Sequence, residues 1–170
     1  DKEYQSTDIS QKIKFYRGSL NNVARRFYEV IKMKKTESFM RICGDSPLID
    51  HNLIDKAISK FDVKKYDILT NIFPRSYPKG QSIEIINSKI FQKIFLLFKN
   101  KNNKEHVTTY FYENFKKFKI YKLKNDINQS NINLSIDTIE DFNRMKKLLF
   151  YSNFNAISYK AYANNYKKLF

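Results

Sequence analysis

Residues 38–60, with the sequence SFMRICGDSPLIDHNLIDKAISK, run from a strand through a short loop into a helix, and this succession decides the fold class. Residues 38–43 are predicted to form the strand. Asp50 can cap the helix, which extends to about residue 60, because its carboxylate can accept a hydrogen bond from the first helical N–H groups. The apolar stripe of this helix consists of four residues at helical spacing, Leu53, Ile54, Ala57 and Ile58. The stretch therefore indicates an α/β protein.

The same alternation continues in both directions along the chain. Ser19 is predicted to cap a helix over residues 20–34, Ser88 a helix to about residue 98, and Asp137, with Glu140, a helix to about residue 150. Further helices are predicted over 105–118 and 158–170. Further strands are predicted over 66–71, 82–86, 119–123 and 131–136, with an irregular loop over 73–80. Because strands alternate with helices, we expect a largely parallel sheet between layers of helices.

Composition places the chain among globular domains of ordinary size. Hydrophobic residues make up 42% of its 170 residues, which suits a single domain over 1–170. Charged residues, at 29%, are too many for a chain buried in a membrane, and the longest apolar run, 94–98, is too short to cross one. Cys43 is the single cysteine, which excludes an internal disulfide and a thiolate metal cluster and favours a reducing cytoplasm.

A net charge of +15 raises the question of nucleic-acid binding. Only six of the 32 basic residues are Arg, the side chain that contacts phosphates and guanine edges through two parallel hydrogen bonds. Lys and Asn are abundant together, as in residues 99–104, which is typical of a proteome-wide composition bias. Nucleic acid is therefore a disfavoured partner, and a basic module for nucleic acid or anionic surfaces is kept as the alternative function. A basic surface also attracts phosphorylated substrates.

Two acidic residues follow predicted strands. Asp45 comes after the strand at 38–43, and Asp137 comes after the strand at 131–136. Ligands of open α/β sheets bind beyond the carboxyl ends of strands, so these carboxylates could converge on one Mg²⁺ ion. Each residue also has a structural interpretation, since Asp137 can serve as a helix cap and Asp45 can shape the turn before Pro47.

Four motifs stand in a characteristic order: GDSPLID at 44–50, FPRSYPKG at 73–80, EHVT at 105–108 and IDTIEDF at 136–142. With RGS at 17–19 ahead of them, they resemble the sugar-acid cytidylyltransferases. Order and spacing are closest to the SpsF-like branch of spore-coat polysaccharide proteins, which is related to the acylneuraminate and ketodeoxyoctulosonate enzymes. The resemblance spans about residues 15–150.

This resemblance implies the α/β/α sandwich of the nucleotide-diphospho-sugar transferases and transfer of CMP from CTP to a sugar acid or related sugar, for surface polysaccharide biosynthesis. It implies that Asp45 and Asp137 hold Mg²⁺, and it is compatible with a homodimer and with no insertion into a membrane. Arg75 and Lys79 would contact an anionic sugar or phosphate. The full implied substrate-binding set is Arg17, Ser19, Arg26, Arg75, Lys79, Glu84, Glu105 and His106. Glu105 also suits a helix start without any function, and His106 is also typical of a surface histidine.

The sequence departs from this family at its beginning. The family binds its nucleotide with an opening strand and a Gly-rich basic loop, neither of which is found before Arg17, and glycine occurs only at positions 18, 44 and 80. The branch also tends to carry an acidic residue soon after the loop glycine, where this chain has Gln81 and Ser82. We therefore expect an N-terminally incomplete cytidylyltransferase with weak activity alone. Another nucleotide-sugar transferase on the same fold is the second alternative.

Overall fold

The structure is a computed structural model that describes residues 13–152 and 158–170. Residues 1–14 resemble the end of the family's nucleotide-binding segment, and all of this stretch except residues 13 and 14 lies outside the described residues. The helices are α1 (Val23–Lys34), α2 (His51–Lys60), α3 (Ser88–Phe95), α4 (Lys101–Glu105), α5 (Thr109–Glu113), α6 (Ile139–Tyr151) and α7 (Tyr159–Leu169). A short 3₁₀ helix, Phe115–Lys117, follows α5. The strands are β1 (Ser38–Arg41), β2 (Ile68–Thr70), β3 (Glu84–Asn87) and β4 (Ile120–Lys122).

The four strands form one mixed sheet in the order β1-β3-β2-β4. β2 and β4 are parallel, whereas β3 is antiparallel to both of its neighbours, β1 and β2. The expectation of a largely parallel sheet is therefore wrong. Residues 71–83 join β2 to β3 without a helix, and a parallel connection needs a crossover that usually contains one. The chain consequently turns back and inserts β3 between two strands of the opposite direction.

Residues 131–136, predicted as a strand, do not form one. They contact the Lys79 segment through a single parallel bridge between Lys79 and Asn133. The N–H of Lys79 donates to the carbonyl of Ile132, and the N–H of Leu134 donates to the carbonyl of Lys79, each at 2.9 Å. Ile132 and Leu134 are buried. The alternation of apolar and polar residues therefore reflects burial on one side of a loop.

Capping residues set where the first helices begin. Asp50 caps α2, as predicted, and its carboxylate accepts the N–H of the second helical residue at 2.8 Å. Asn22, rather than Ser19, caps α1, and Asn87, rather than Ser88, caps α3. Asn and Ser are comparable caps, so the choice between neighbouring candidates depends on where the chain leaves the preceding segment.

α6 begins one residue later than its predicted capping pair, Asp137 with Glu140, would place it. Thr138 and Asp141 form the capping box instead: the Thr138 hydroxyl accepts the Asp141 N–H at 3.2 Å, and the Asp141 carboxylate accepts the Thr138 N–H at 3.1 Å. The interpretation of Asp137 as the helix cap is therefore wrong, and its carboxylate is left for another role.

The helix predicted over 105–118 is broken into shorter pieces. α4 ends at Glu105, α5 begins at Thr109, and a 3₁₀ helix follows. The intervening Val107 and Thr108, with Thr109, form a β-branched run, which lowers helix propensity because the preceding turn restricts such side chains. Val107 is buried, so this break is packed into the core rather than exposed.

Helices pack on both faces of the sheet, since successive strand residues point to opposite faces. Leu69 and Ile85 belong to one buried cluster, which includes residues of α2, α6 and α7. Ile68 and Ile86 belong to the other, which includes residues of α1, α3 and α5. Full burial of one such side chain contributes about 1.5–3 kcal/mol to the free energy of folding. The two clusters therefore stabilise the sheet that supports the loops.

Within residues 13–152 and 158–170, no helix combines the length and the apolar character that crossing a membrane requires. The longest described helix, α6, has 13 residues. At about 1.5 Å per residue it falls well short of the roughly 30 Å hydrocarbon thickness of a bilayer.

Two loops that carry predicted site residues leave the sheet at the same edge. Arg41 at the end of β1 and Thr70 at the end of β2 are both paired with Glu84 at the start of β3. The carboxyl ends of β1 and β2 therefore meet the amino end of β3. The loops at 42–50 and 71–83 both leave the sheet at this edge.

Candidate functional site

A cavity of about 460 Å³ opens at this edge of the sheet. Five residues predicted for metal or substrate binding line it: Asp45, Arg75, Lys79, His106 and Asp137. They come from four separate segments of the chain. The volume lies in the range of about 300–1,000 Å³ that is usual for small-molecule sites. The structure thus brings the two predicted metal ligands and three predicted substrate-binding residues to one place.

Asp45 and Asp137 are brought together by the backbone. The N–H of Ile136, the residue before Asp137, donates to the carbonyl of Asp45 at 2.9 Å. Each carboxylate accepts a neighbouring hydroxyl: Asp45 from Ser46 at 2.9 Å, and Asp137 from Ser135 at 3.2 Å. A carboxylate offers about four acceptor positions, so both retain capacity for a ligand.

Gly80 permits the close approach that fixes the Lys79 loop. Its φ of 85° lies in the left-handed region, which glycine adopts at low cost. A Cβ at this position would press against the backbone of Leu134 and come within 2.8 Å of the Ser135 nitrogen. The contact ties the loop that carries Arg75 and Lys79 to the segment that leads into Asp137.

Gln81 holds the end of the loop that carries Asp45. Its side chain is fully buried; the amide oxygen accepts the Asp50 N–H at 3.0 Å, and the amide nitrogen donates to the Leu48 carbonyl at 2.7 Å. The Asp50 carboxylate also accepts the N–H of Tyr159 at 2.9 Å. The loop between β1 and α2 is thereby anchored both to the loop that leads into β3 and to the start of α7.

The floor of the cavity contains a buried ion pair. Glu84 has no exposed surface, and one of its carboxylate oxygens accepts a hydrogen bond from Nη1 of Arg41 at 2.7 Å. The Tyr112 hydroxyl donates to the other oxygen and lies 2.9 Å from the Thr70 hydroxyl. Burial, together with the adjacent Glu84 charge, raises the pKa of Tyr112, so its hydroxyl remains a donor. Burial alone would lower the pKa of Arg41, but the charge of Glu84, the hydrogen bond to it and the fields of Cys43 and Tyr112 together outweigh burial, and the pKa is raised.

Arg75 is held differently, by neutral groups. Nη1 and Nη2 donate to the Ser82 hydroxyl oxygen at 3.2 and 3.1 Å, and Nη1 also donates to the Pro78 carbonyl at 3.4 Å. Burial lowers the pKa of Arg75, and the charge of Glu84 offsets this only in part. Among the acidic residues that the structure describes, none forms an ion pair with Arg75.

The other predicted substrate-binding residues do not line this cavity. Glu84 lies beneath it, already bonded to Arg41. Glu105 lines a separate cavity beside the start of α1. Three residues in or just before α1 are also absent from its walls: Arg17, Ser19 and Arg26. The cause is the placement of α1, which packs on α3 and α4 at one face of the sheet and not at the edge where the cavity opens.

Sequence reasoning missed Arg41, Ser82 and Tyr112, which also line the cavity. Arg41 carried a usable signal, because a charged residue within a strand beside a buried strand needs a partner. Glu84, in another predicted strand, was the matching acid. Tyr112 and Ser82 carried no comparable signal, because their contacts depend on how distant segments pack.

The sequence profile of the cytidylyltransferase family matches residues 4–168. The chain belongs to the cytidylyltransferase family. The fold agrees, since the solved structure of a cytidylyltransferase from Leptospira borgpetersenii serovar Hardjo-bovis is similar with a TM-score of 0.80. That similarity has 31% sequence identity and covers 85% of this chain and 62% of the other.

Two curated proteins are also similar in sequence to this chain. An uncharacterised protein of Methanocaldococcus jannaschii is 33% identical over 132 residues, which cover 76% of this chain and 53% of the relative. The spore coat polysaccharide biosynthesis protein SpsF of Bacillus subtilis is 29% identical over 145 residues, 82% of this chain and 58% of SpsF. This family member therefore spans less than two thirds of the length of each relative.

Proposed function

We propose that this family member transfers CMP from CTP to a sugar acid or related anionic sugar and releases pyrophosphate, as a step in the synthesis of a surface polysaccharide. The observation that carries the proposal is the convergence of Asp45 and Asp137 with Arg75 and Lys79 on one cavity. Carboxylates suit a cation bound to nucleotide phosphates, and basic side chains suit an anionic sugar. The similarity to the spore coat polysaccharide protein supports the polysaccharide role.

In the proposed reaction a hydroxyl oxygen of the sugar attacks the α-phosphorus of CTP. A new oxygen–phosphorus bond forms, the bond from the α-phosphorus to the bridging oxygen breaks, and the electron pair of that bond leaves with pyrophosphate. The hydroxyl proton passes to a base, for which His106 in the cavity wall is the candidate. The protein contributes mainly positioning and electrostatic stabilisation, which dominate phosphoryl-type transfer.

The chemistry of Asp45 and Asp137 fits a magnesium ion. At phosphate-transfer sites Mg²⁺ binds through one or two carboxylates, while water and substrate phosphates complete its octahedral shell. Each of the two carboxylates accepts one hydroxyl hydrogen bond and keeps oxygen capacity for a ligand. Over the described ranges, no group of three or more His, Cys, Asp or Glu side chains could hold a metal. Bound there, the ion would neutralise phosphate charge and orient the α-phosphate.

The test is Mg²⁺-dependent release of pyrophosphate from CTP with a panel of sugar acids. It should be measured on this chain and on a longer chain that includes the adjacent coding sequence. Because this chain spans less than two thirds of its relatives, we expect the longer chain to be the more active. Substituting GTP or UDP-sugars distinguishes another nucleotide-sugar transferase on the same fold. Failure of both chains with the whole panel would contradict the proposal.

Variants of the two carboxylates make this test specific. Asp45→Asn and Asp137→Asn should each lower turnover by at least about 10–100-fold, since substitution of residues that only support metal ligands already costs that factor. Asp55→Asn is the matched control, because Asp55 is exposed on α2 and lies outside the cavity. Equal turnover in all three variants would show that the carboxylates do not serve the reaction.

A further inference from the structure

The cavity contains two guanidinium groups that have different kinds of hydrogen-bond partner, one charged and the other neutral. Arg41 forms an ion pair with the buried Glu84, whereas Arg75 donates to the Ser82 hydroxyl and the Pro78 carbonyl, both of them neutral. We propose that Ser82 determines the charge selectivity of this cavity: its hydroxyl orients Arg75 without neutralising it, so that an oxyanion of the ligand supplies the counter-charge. The oxyanion is a carboxylate or a phosphate group.

The hydrogen bonds of Arg75 leave one edge of the guanidinium available. A guanidinium has five N–H donors, and here Nη1 uses two of them while Nη2 uses one. Nε and the second N–H of Nη2 donate to no residue in the described part of the chain. These two donors are parallel and lie on one edge, which is the arrangement that binds a carboxylate or phosphate through two hydrogen bonds.

Nearby carboxylates compensate the charge of Arg75 only in part. Glu84 is the acidic group whose field reaches it, but both oxygens of Glu84 are engaged, by Arg41 and by the Tyr112 hydroxyl. Arg75 is partly buried, and a buried charge without a counter-charge is costly, so an incoming anion gains more here than at an exposed lysine. Lys79 lines the same cavity and adds to the attraction.

Ser82 carries the selectivity because its position decides whether the protein itself neutralises Arg75. An aspartate at 82 would place a carboxylate where the hydroxyl oxygen now accepts from both terminal nitrogens. Arg75 would then form an ion pair within the protein, as Arg41 does with Glu84. An asparagine at 82 presents a neutral oxygen on a side chain of the same size as aspartate, which separates the effect of charge from that of shape.

The experiment measures binding of inorganic pyrophosphate and, in a separate arm, of glucuronate by calorimetry, without CTP or metal. Ser82→Asp should bind the preferred anion at least about tenfold more weakly than Ser82→Asn, since a charge-assisted hydrogen-bond pair contributes at least that factor. Asn164→Asp on the exposed side of α7 lowers the net charge of the protein by the same amount and should stay within about twofold of the parent. Binding of only one of the two anions identifies the oxyanion as phosphate or carboxylate.

Several results would overturn the proposal. These are equal binding by Ser82→Asp and Ser82→Asn, equal weakening by Asn164→Asp, and no binding of either anion by the parent. Arg75→Gln provides a second route that does not depend on how well Ser82→Asp folds. This variant removes the charge but keeps a donor toward Ser82, and parent-like anion binding by it would equally overturn the proposal.

The role of Ser82 in selecting a substrate rests on the proposed function. The binding experiment does not, because it measures anion binding without CTP or turnover. Anion binding that depends on the residue at 82, combined with no CTP turnover by either this chain or the longer chain, would contradict the proposed reaction and leave the selectivity standing. If both Ser82→Asp and Ser82→Asn turn over CTP with the same KM for the sugar acid, the proposed reaction stands and the selectivity of Ser82 is contradicted.

Discussion

The floor and the rim of the cavity differ in how their charged side chains are paired. On the floor, Arg41 and Tyr112 both donate to the buried carboxylate of Glu84, so each oxygen of this carboxylate has a partner inside the protein. On the rim, Asp45 and Asp137 each accept only a serine hydroxyl from the described residues. The floor residues lie on β1, β3 and the helix α5, whereas Asp45 and Asp137 lie on loops.

This difference separates the charges that stabilise the fold from those that are available to a ligand. A buried charge paired internally is costly to disturb, because removal of one partner leaves the other without compensation. A partly buried carboxylate such as Asp45, or an exposed one such as Asp137, contributes little to stability beside a hydroxyl and keeps its capacity for a cation. Substitutions on the floor should therefore affect folding, and substitutions of rim side chains should affect binding.

Glu84→Ala should produce the largest loss of stability. It leaves the partly buried Arg41 unpaired and removes the acceptor of Tyr112, so we expect the free energy of unfolding to fall by about 3–5 kcal/mol. Urea denaturation measures it. Glu37→Ala is the matched control, because Glu37 is exposed, and it should change stability by less than about 0.5 kcal/mol. A loss below about 1 kcal/mol for Glu84→Ala would erase the distinction between floor and rim.

Gly80→Ala tests a close backbone contact on which the rim of the cavity depends. The positive φ and the close approach of residues 134 and 135 leave no room for a Cβ, so the variant should lose about 1–3 kcal/mol. Gly44→Ala is the comparison, because a Cβ there meets nothing within 4 Å, and its effect should be well below that of Gly80→Ala. Thermal unfolding of both variants is sufficient, and equal losses would show that the contact at Gly80 is not what fixes the loop.

The pH dependence of stability tests the other end of the Asp45 loop. Burial tends to raise the pKa of Asp50, but hydrogen bonds from the N–H groups of Tyr159 and Asn52 outweigh it and lower the pKa below its usual value. This contribution is fully present above the unfolded-state pKa of about 3.9 and is lost as the pH falls through the lower native value. Asp50→Asn should therefore lose less stability than the parent between about pH 5 and pH 2. Parallel curves of melting temperature against pH for parent and variant would contradict this.

Local features were the most predictable from sequence. The strand at 38–41, the loop after it and the Asp50 cap follow from adjacent residues, and so does α7. The direction of β3 was not predictable from alternation alone, because it depends on the missing crossover helix between β2 and β3. The segment with buried residues 132 and 134 was predicted as a strand because burial on one side of a loop gives the same alternation of apolar and polar residues as a strand.

The candidate site was predictable in its loops but not in its floor. Asp45, Arg75, Lys79 and Asp137 lie in loop motifs that can be recognised without knowing the sheet order. The pairing of Arg41 with Glu84 spans 43 positions and depends on the register of β1 against β3. The other residues implied by the resemblance lie away from the cavity: Arg17 and Ser19 just before α1, Arg26 in α1, and Glu105 at the end of α4.

The central claim is that Asp45 and Asp137 share one cation, and calorimetric titration of Mg²⁺ in the presence of CTP tests it most directly. The parent, Asp45→Asn, Asp137→Asn and the double variant should be compared. The heat of Mg²⁺ binding to CTP without protein is first subtracted. If one ion is shared, each single variant loses the remaining heat, and the double variant loses no more than either single variant. Single variants that bind Mg²⁺ as the parent does, or that each lose a separate part of the heat that adds up in the double variant, would contradict the claim.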